Sequence, residues 1–182
     1  MNKVKLALVT GGIVMSLLVA GCSHHQGHVS QDASLPVNEA AKYQTYVKVG
    51  QSVPVNQFID IQGRHIDLMQ SKHKKILILF ATWCPDSQRA MKALVQSALI
   101  HDDTIDIIGI GREESIASLS QFALDYQLPF SLVADKGRSL YRQFASAGIP
   151  RFILLDEHNK IVKTLLLEDD IQVDKLLAPI QW

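Results

Sequence analysis

Trp83-Cys84-Pro85-Asp86-Ser87 follows directly on the apolar run Ile76-Leu77-Ile78-Leu79-Phe80. A lone thiol is thereby placed where a strand buried on both faces turns into a helix. Sulfur at the first turn of a helix faces unpaired backbone N–H groups and the positive end of the helix dipole, and both favour the nucleophilic thiolate. Proline suits the first helical position, where its missing N–H costs nothing, so Pro85 makes Cys84 the expected N-cap. The alternative for Cys84 is a small buried hydrophobe. Its place at the helix start, beside Trp83 and Pro85, favours the reactive thiol.

A dithiol redox motif would carry its second cysteine at position 87, where this chain has serine. Ser87 has two readings: its hydroxyl donates a hydrogen bond to the thiolate and favours the charged form, or it is a plain polar helix residue. Asp86 suits the helix dipole but opposes a thiolate close to it, so its net effect on Cys84 has no sign from sequence.

Residues 74–95 resemble the thioredoxin superfamily, especially its extracytoplasmic TlpA-like thiol-disulfide oxidoreductase branch. There a strand ending in Phe-x-x-x-Trp-Cys leads into a Cys-x-x-Cys helix. Gly148-Ile149-Pro150-Arg151-Phe152-Ile153-Leu154-Leu155-Asp156, followed by Asn159-Lys160-Ile161-Val162, is similar to that family's cis-proline segment, next strand and hairpin. The two motifs occur in the family's order, and the resemblance runs from about Phe58 to the end of the chain. It implies a thioredoxin-like α/β fold, a cis Pro150 opposite the thiol, and backbone groups at Ile149 that pair with an extended substrate as an added strand. On this reading catalysis falls to Cys84 and Ser87, and substrate binding to Trp83, Pro85, Ile149 and Pro150. Trp83 is a lid on the thiol, a partly buried aromatic, or both. Arg151 is expected as an exposed arginine on a strand, with an acidic or glutathione-like group as the alternative it would meet.

Three departures from the family argue against ordinary dithiol reduction. Ser87 replaces the resolving cysteine, Ile78 stands where thioredoxins carry a buried aspartate, and Ala90 where TlpA-like reductases usually carry glutamate. Loss of acid–base assistance is typically worth about a hundredfold or more. A peroxiredoxin-type peroxidase is not expected either, since its threonine or serine and its proline are replaced by Ala81 and Leu77. The resemblance therefore implies mixed-disulfide exchange or isomerisation through one cysteine, with protein thiols or disulfides of the cell envelope as partners. The rival readings are a redox-inactive module that binds a peptide or partner, and a sensor in which Cys84 becomes a sulfenic acid.

The chain has 182 residues and balanced formal charge, 18 basic against 18 acidic, which gives no basis for nucleic-acid binding. Its two cysteines, Cys22 and Cys84, need separate explanations. Lys3 and Lys5 precede an apolar stretch over 6–19 and the small pair Ala20-Gly21, the pattern of a secretion signal. Leu18-Val19-Ala20-Gly21-Cys22 resembles the bacterial lipobox, which implies lipidation of Cys22 and a membrane anchor. The alternatives are an ordinary signal peptide with a free Cys22 and an uncleaved anchor. Ser23, rather than aspartate, after that cysteine slightly favours the outer membrane. The expected organisation is a lipoprotein signal peptide over 1–21, a flexible tether over 22–49 and a thioredoxin-like domain over 50–182. His24, His25 and His28 lie in the polar tether and read as solvated linker, with no metal site and no cofactor implied.

The elements that must hold the thiol follow from periodicity. A hairpin is expected over 57–61 and 65–68, and a buried strand over 75–80. A helix from 84 to about 100 buries Met91, Leu94, Val95, Ala98 and Leu99. A strand over 104–110, helices over 115–126 and 139–147, an antiparallel pair over 151–155 and 161–167, and a closing helix over 171–177 complete the reading. Strands alternating with helices before a final strand pair make an α/β sandwich with a central mixed sheet.

Overall fold

The computed structural model describes residues 43–167. The signal-like segment, Cys22, the three tether histidines and the helix expected over 171–177 lie outside them. Central to the fold is β3 (Lys74–Phe80), every residue of which after Lys74 is buried. Successive side chains on a strand point to opposite faces, so an unbroken apolar run requires cover on both sides of the sheet. Ile76, Ile78 and Phe80 pack into one core cluster, and Leu77 and Leu79 into a second.

Around β3 the sheet runs β5-β4-β3-β6-β7, with β4 at Ile105–Arg112, β5 at Ser131–Asp135, β6 at Arg151–Leu155 and β7 at Ile161–Leu166. β4 is parallel to β3 and to β5, whereas β6 is antiparallel to β3 and to β7. Ile78 faces Gly109 on one side and Phe152 on the other. The carboxyl ends of β3, β4 and β5 and the start of β6 therefore meet at one end of the sheet. Helices α1 (Pro85–Val95) and α2 (Ile116–Tyr126) supply Ala90, Met91, Leu94, Leu119 and Phe122 to the first cluster. Gly111 in β4 admits α2, because a Cβ there would lie 2.6 Å from Leu119 Cδ2. The second cluster is closed by Tyr141, Phe144 and a separate antiparallel hairpin, β1 (Gln57–Ile59) with β2 (His65–Asp67).

The expected thioredoxin-like α/β fold with a central mixed sheet is the one observed, with four corrections. The first helix ends at Val95; Ser97 then donates to Leu94 O at 2.6 Å and accepts from Leu99 N, starting a short 3-10 turn over Ala98–His101. A serine side chain that captures backbone groups interrupts a helix in this way. β5 was not expected at all: it is five residues long and lacks alternation, and its order comes from pairing with β4. The helix expected over 139–147 is only a 3-10 turn, Tyr141–Gln143, because Asp135 accepts from Leu140 N and Tyr141 N and fixes a tight turn instead. The end of the expected tether belongs to the domain: Tyr46 N donates to Phe144 O, Ser146 N donates to Gln44 O, and Val47 is buried.

Candidate active site

Cys84 is the N-cap of α1, in extended conformation, with Pro85 in the first turn. Its N–H donates to Ala81 O at 3.3 Å and its carbonyl accepts from Gln88 N at 3.0 Å, so the backbone at the thiol is already committed. Cys84 is 8% exposed. Its Sγ lies 3.8 Å from the carbonyl oxygen of Ile149, within reach of a weak S–H hydrogen bond. The Ile149–Pro150 peptide is cis, as expected. The structure thus brings Cys84 and Ile149 together from two motifs 65 positions apart.

Three side chains shape the loop between β3 and α1. Ser87 is fully buried, and its hydroxyl accepts from Ala81 N at 3.4 Å. Gln88 Nε2 donates to Thr82 O at 2.7 Å. Glu114, a buried carboxylate from the loop before α2, accepts from Thr82 N at 2.7 Å and Thr82 Oγ1 at 2.6 Å through Oε1, and from Ser118 Oγ at 2.6 Å through Oε2. Ser118 is also half of a capping box with Ser115, so the N-terminus of α2 and the thiol loop share one hydrogen-bond network. Asp86 pairs with Arg89 on the outer side of α1. Trp83 is 59% exposed, so the ring stands mainly in solvent beside the thiol.

The cis-proline loop is held by its carbonyls. Arg138 Nη2 donates to Ser146 O at 3.0 Å, Arg151 Nη2 to Ala147 O at 2.9 Å, and Tyr141 OH to Gly148 O at 2.8 Å; the Cys84 thiol faces the next carbonyl, of Ile149. Four consecutive carbonyls therefore each meet a side-chain group. Gly148 has φ +88°, a left-handed conformation that favours glycine, and turns the chain into the proline. Burial pushes the Tyr141 phenol up from its ordinary range, while the charges of Arg151, Arg112 and Arg138 pull in the opposite direction.

Arg151 corrects the sequence reading. It is 2% exposed, not a surface arginine, and its Nη1 donates to Thr45 Oγ1 at 2.6 Å. A guanidinium one residue after the proline is drawn inward because the Ala147 carbonyl and the Thr45 hydroxyl accept from its two terminal nitrogens. Glu114, Tyr141 and Arg138 were also missed as site residues. The one available signal was Glu-Ser before a helical period at 114–115, which marks a helix start but not its contact with Thr82. Ile78 and Ala90, where the resemblance would place proton-handling acids, are buried in apolar surroundings.

A sheet end that sets a helix-capping cysteine against a cis-proline carbonyl defines a thioredoxin-fold thiol protein. The chain belongs to the AhpC/TSA family, whose family model matches residues 49–164. It is similar to the thiol-disulfide oxidoreductase ResA of Bacillus cereus, 23% identical over 124 residues that cover 67% of this chain and 72% of that protein. It is also similar to the thioredoxin-like protein YneN of Bacillus subtilis, 27% identical over 129 residues covering 65% and 75% of the two chains. Among solved structures, a putative protein disulfide isomerase from Bacteroides thetaiotaomicron superposes with a TM-score of 0.66 at 26% identity, covering 73% of this chain and 87% of that one.

Proposed function

We propose that the protein performs thiol-disulfide exchange through Cys84 alone, as a lipid-anchored protein of the bacterial envelope. The thiolate of Cys84 attacks one sulfur of a disulfide, forming a Cys84 mixed disulfide and expelling the other sulfur as a thiolate that takes up a proton. An external thiol, or the substrate's own second cysteine, then attacks the mixed disulfide and returns Cys84 as a thiolate. The second route rearranges disulfides without net oxidation or reduction. The observation that carries this reading is the Cys84 sulfur 3.8 Å from Ile149 O, with a buried Ser87 where a resolving thiol would stand. Trp83, Pro85, Ile149 and Pro150 receive the substrate chain, Trp83 and Pro85 from exposed positions and Pro150 from a buried one. Ser87 acts here through the loop, by accepting from Ala81 N, rather than by resolving the adduct. The thioredoxin-like domain is reached by a tether from Cys22, the lipidation site, and Ser23 favours the outer membrane.

Exposed Trp83 supports a second reading, a module that binds a peptide without chemistry. Incubation of the whole protein with a small disulfide, followed by peptide mapping, separates the two. An adduct on Cys84 that a free thiol releases is expected, together with loss of cellular function in Cys84→Ala. Absence of any Cys84 adduct, with function intact in Cys84→Ala, transfers the assignment to the binding module.

A further inference from the structure

Beside the cis-proline loop, on the face of the sheet away from α1 and α2, three guanidinium groups surround the buried Tyr141. Arg112 Cζ lies 5.0 Å and Arg138 Cζ 5.3 Å from the centroid of its ring, and Arg151 lies against its hydroxyl. Arg112 ends β4 and Arg138 follows β5, so both sit at the sheet end that carries the thiol. Their side chains are 16% and 22% exposed, so both combine partial desolvation with access from solvent. From Lys136 to Arg151 the chain holds four cations and no acid.

One carboxylate already occupies the gap between the two accessible arginines. Glu113 Oε2 accepts from Arg112 Nε at 3.0 Å, and its Oε1 stands 3.9 Å from Arg138 Nη1. Glu113 is 42% exposed on its side chain and adopts φ 62°, a left-handed conformation unfavourable for a residue with a Cβ. The other acids nearby are otherwise engaged: Asp135 accepts from Leu140 N and Tyr141 N, and Glu114 from Thr82 and Ser118. Arg138 Nε and Arg151 Nε are buried with no hydrogen-bond acceptor, so each of these guanidinium groups keeps one unmet donor. From the cluster, Tyr141 OH reaches Gly148 O, and the adjacent carbonyl of Ile149 faces the Cys84 sulfur.

We propose that Arg112 and Arg138 form an anion subsite, presently bridged by Glu113, that selects disulfides carrying a carboxylate. The inference rests on the exchange reading of Cys84 and names its substrate class. The arriving carboxylate takes the place of Glu113 between the two forks, which suit planar bidentate recognition. Cys84 then attacks the disulfide, forms the mixed disulfide and releases the second half as a thiolate.

The test uses the full chain and three small symmetric disulfides: anionic dithiodipropionate, neutral hydroxyethyl disulfide and cationic cystamine. The rate of adduct formation at Cys84, followed by peptide mapping, is divided by the rate of each reagent with N-acetylcysteinamide. A normalised preference for the anionic over the cationic reagent of roughly tenfold or more at low salt is expected, shrinking as salt is added. Arg112→Gln should diminish that ratio, and Glu113→Gln, at an exposed side chain, should enlarge it. Cystine peptides bearing Asp or Asn beside the cysteine assign the carboxylate to a protein client if Asp is preferred, and to a small molecule if the preference is confined to dithiodipropionate. Normalised rates equal for the three reagents, or a preference that survives Arg112→Gln, would overturn the subsite while leaving exchange at Cys84 intact. No adduct with any reagent overturns the exchange reading and the subsite with it.

Discussion

Glu114 accepts two hydrogen bonds from Thr82, one from its backbone N–H at 2.7 Å and one from its hydroxyl at 2.6 Å. The thiol is only two residues further on, and Ser118 at the start of α2 donates to the other carboxylate oxygen. One buried side chain therefore ties the turn that presents Cys84 to the N-terminus of a different helix. Gln88 closes the same turn from inside α1 by donating to Thr82 O.

Removing that carboxylate leaves part-buried donors of Thr82 and Ser118 without their acceptor, and a fully buried unsatisfied donor costs about 1–3 kcal/mol. Glu114→Ala is expected to lower stability by about 1–3 kcal/mol, and to slow adduct formation at Cys84 because the turn is no longer fixed. Glu114→Gln keeps one acceptor oxygen and should fall between the two. Urea unfolding midpoints measure the first effect and mass-resolved adduct kinetics the second. A Glu114→Ala protein with the wild-type midpoint would remove Glu114 from the account of the site.

The uneven legibility of the sequence follows from where the determining forces act. Cys84 at the helix start was readable because Pro85 and the apolar run of β3 are local signals, and the cis Pro150 followed from the resemblance at 148–156. Arg151 was misread because its burial depends on the carbonyl of Ala147 and a hydroxyl of Thr45, the latter 106 positions away. β5 was invisible for a related reason: Leu132 and Val133 are its main apolar content, and the strand exists through its register with Ile108–Arg112. Glu114 reads locally as a helix-flanking acid, and only the meeting of two loops turns it into an acceptor for Thr82.

Asp60 provides a pH handle on the domain, remote from the thiol chemistry. Burial by itself would raise this carboxyl, but hydrogen bonds from the Arg64 backbone and side chain and from Gln62 N outweigh it and hold the carboxyl below its usual value. A carboxylate depressed in the folded state contributes stability that is present above its unfolded value, near 3.9, and is lost as pH falls through the folded one. The thermal midpoint should therefore drop as the pH falls below about 4. Asp60→Asn should lower the neutral-pH midpoint and flatten part of that slope; Asp67 and Asp102, also depressed by hydrogen bonds, retain the rest. An Asp60→Asn protein whose acid transition matches wild type would show that these bonds do not persist in solution.

Position 87 decides what becomes of the mixed disulfide. Ser87 lies three residues after Cys84 across the helix start, a separation compatible with the Cα spacing of roughly 4.4–6.8 Å that a disulfide requires. Ser87→Cys is therefore expected to form an internal disulfide between Cys84 and the introduced thiol under mild oxidation, seen as the loss of two hydrogens by intact mass. The new thiol also changes the fate of an adduct, because it attacks the Cys84 sulfur and expels the bound thiol within the same molecule. Intramolecular attack carries a large effective concentration, so the adduct lifetime should fall by at least about tenfold relative to wild type. Some stability is lost, about 1 kcal/mol, since Ala81 N forfeits its hydroxyl acceptor. Wild type should accumulate the adduct and Ser87→Cys should pass through it, so that serine at this position leaves release to an outside thiol or to the substrate's own second cysteine. A Cys84 adduct equally long-lived in both proteins would mean that a thiol at the buried position 87 cannot reach the sulfur, and that release depends on an outside thiol whatever residue stands there.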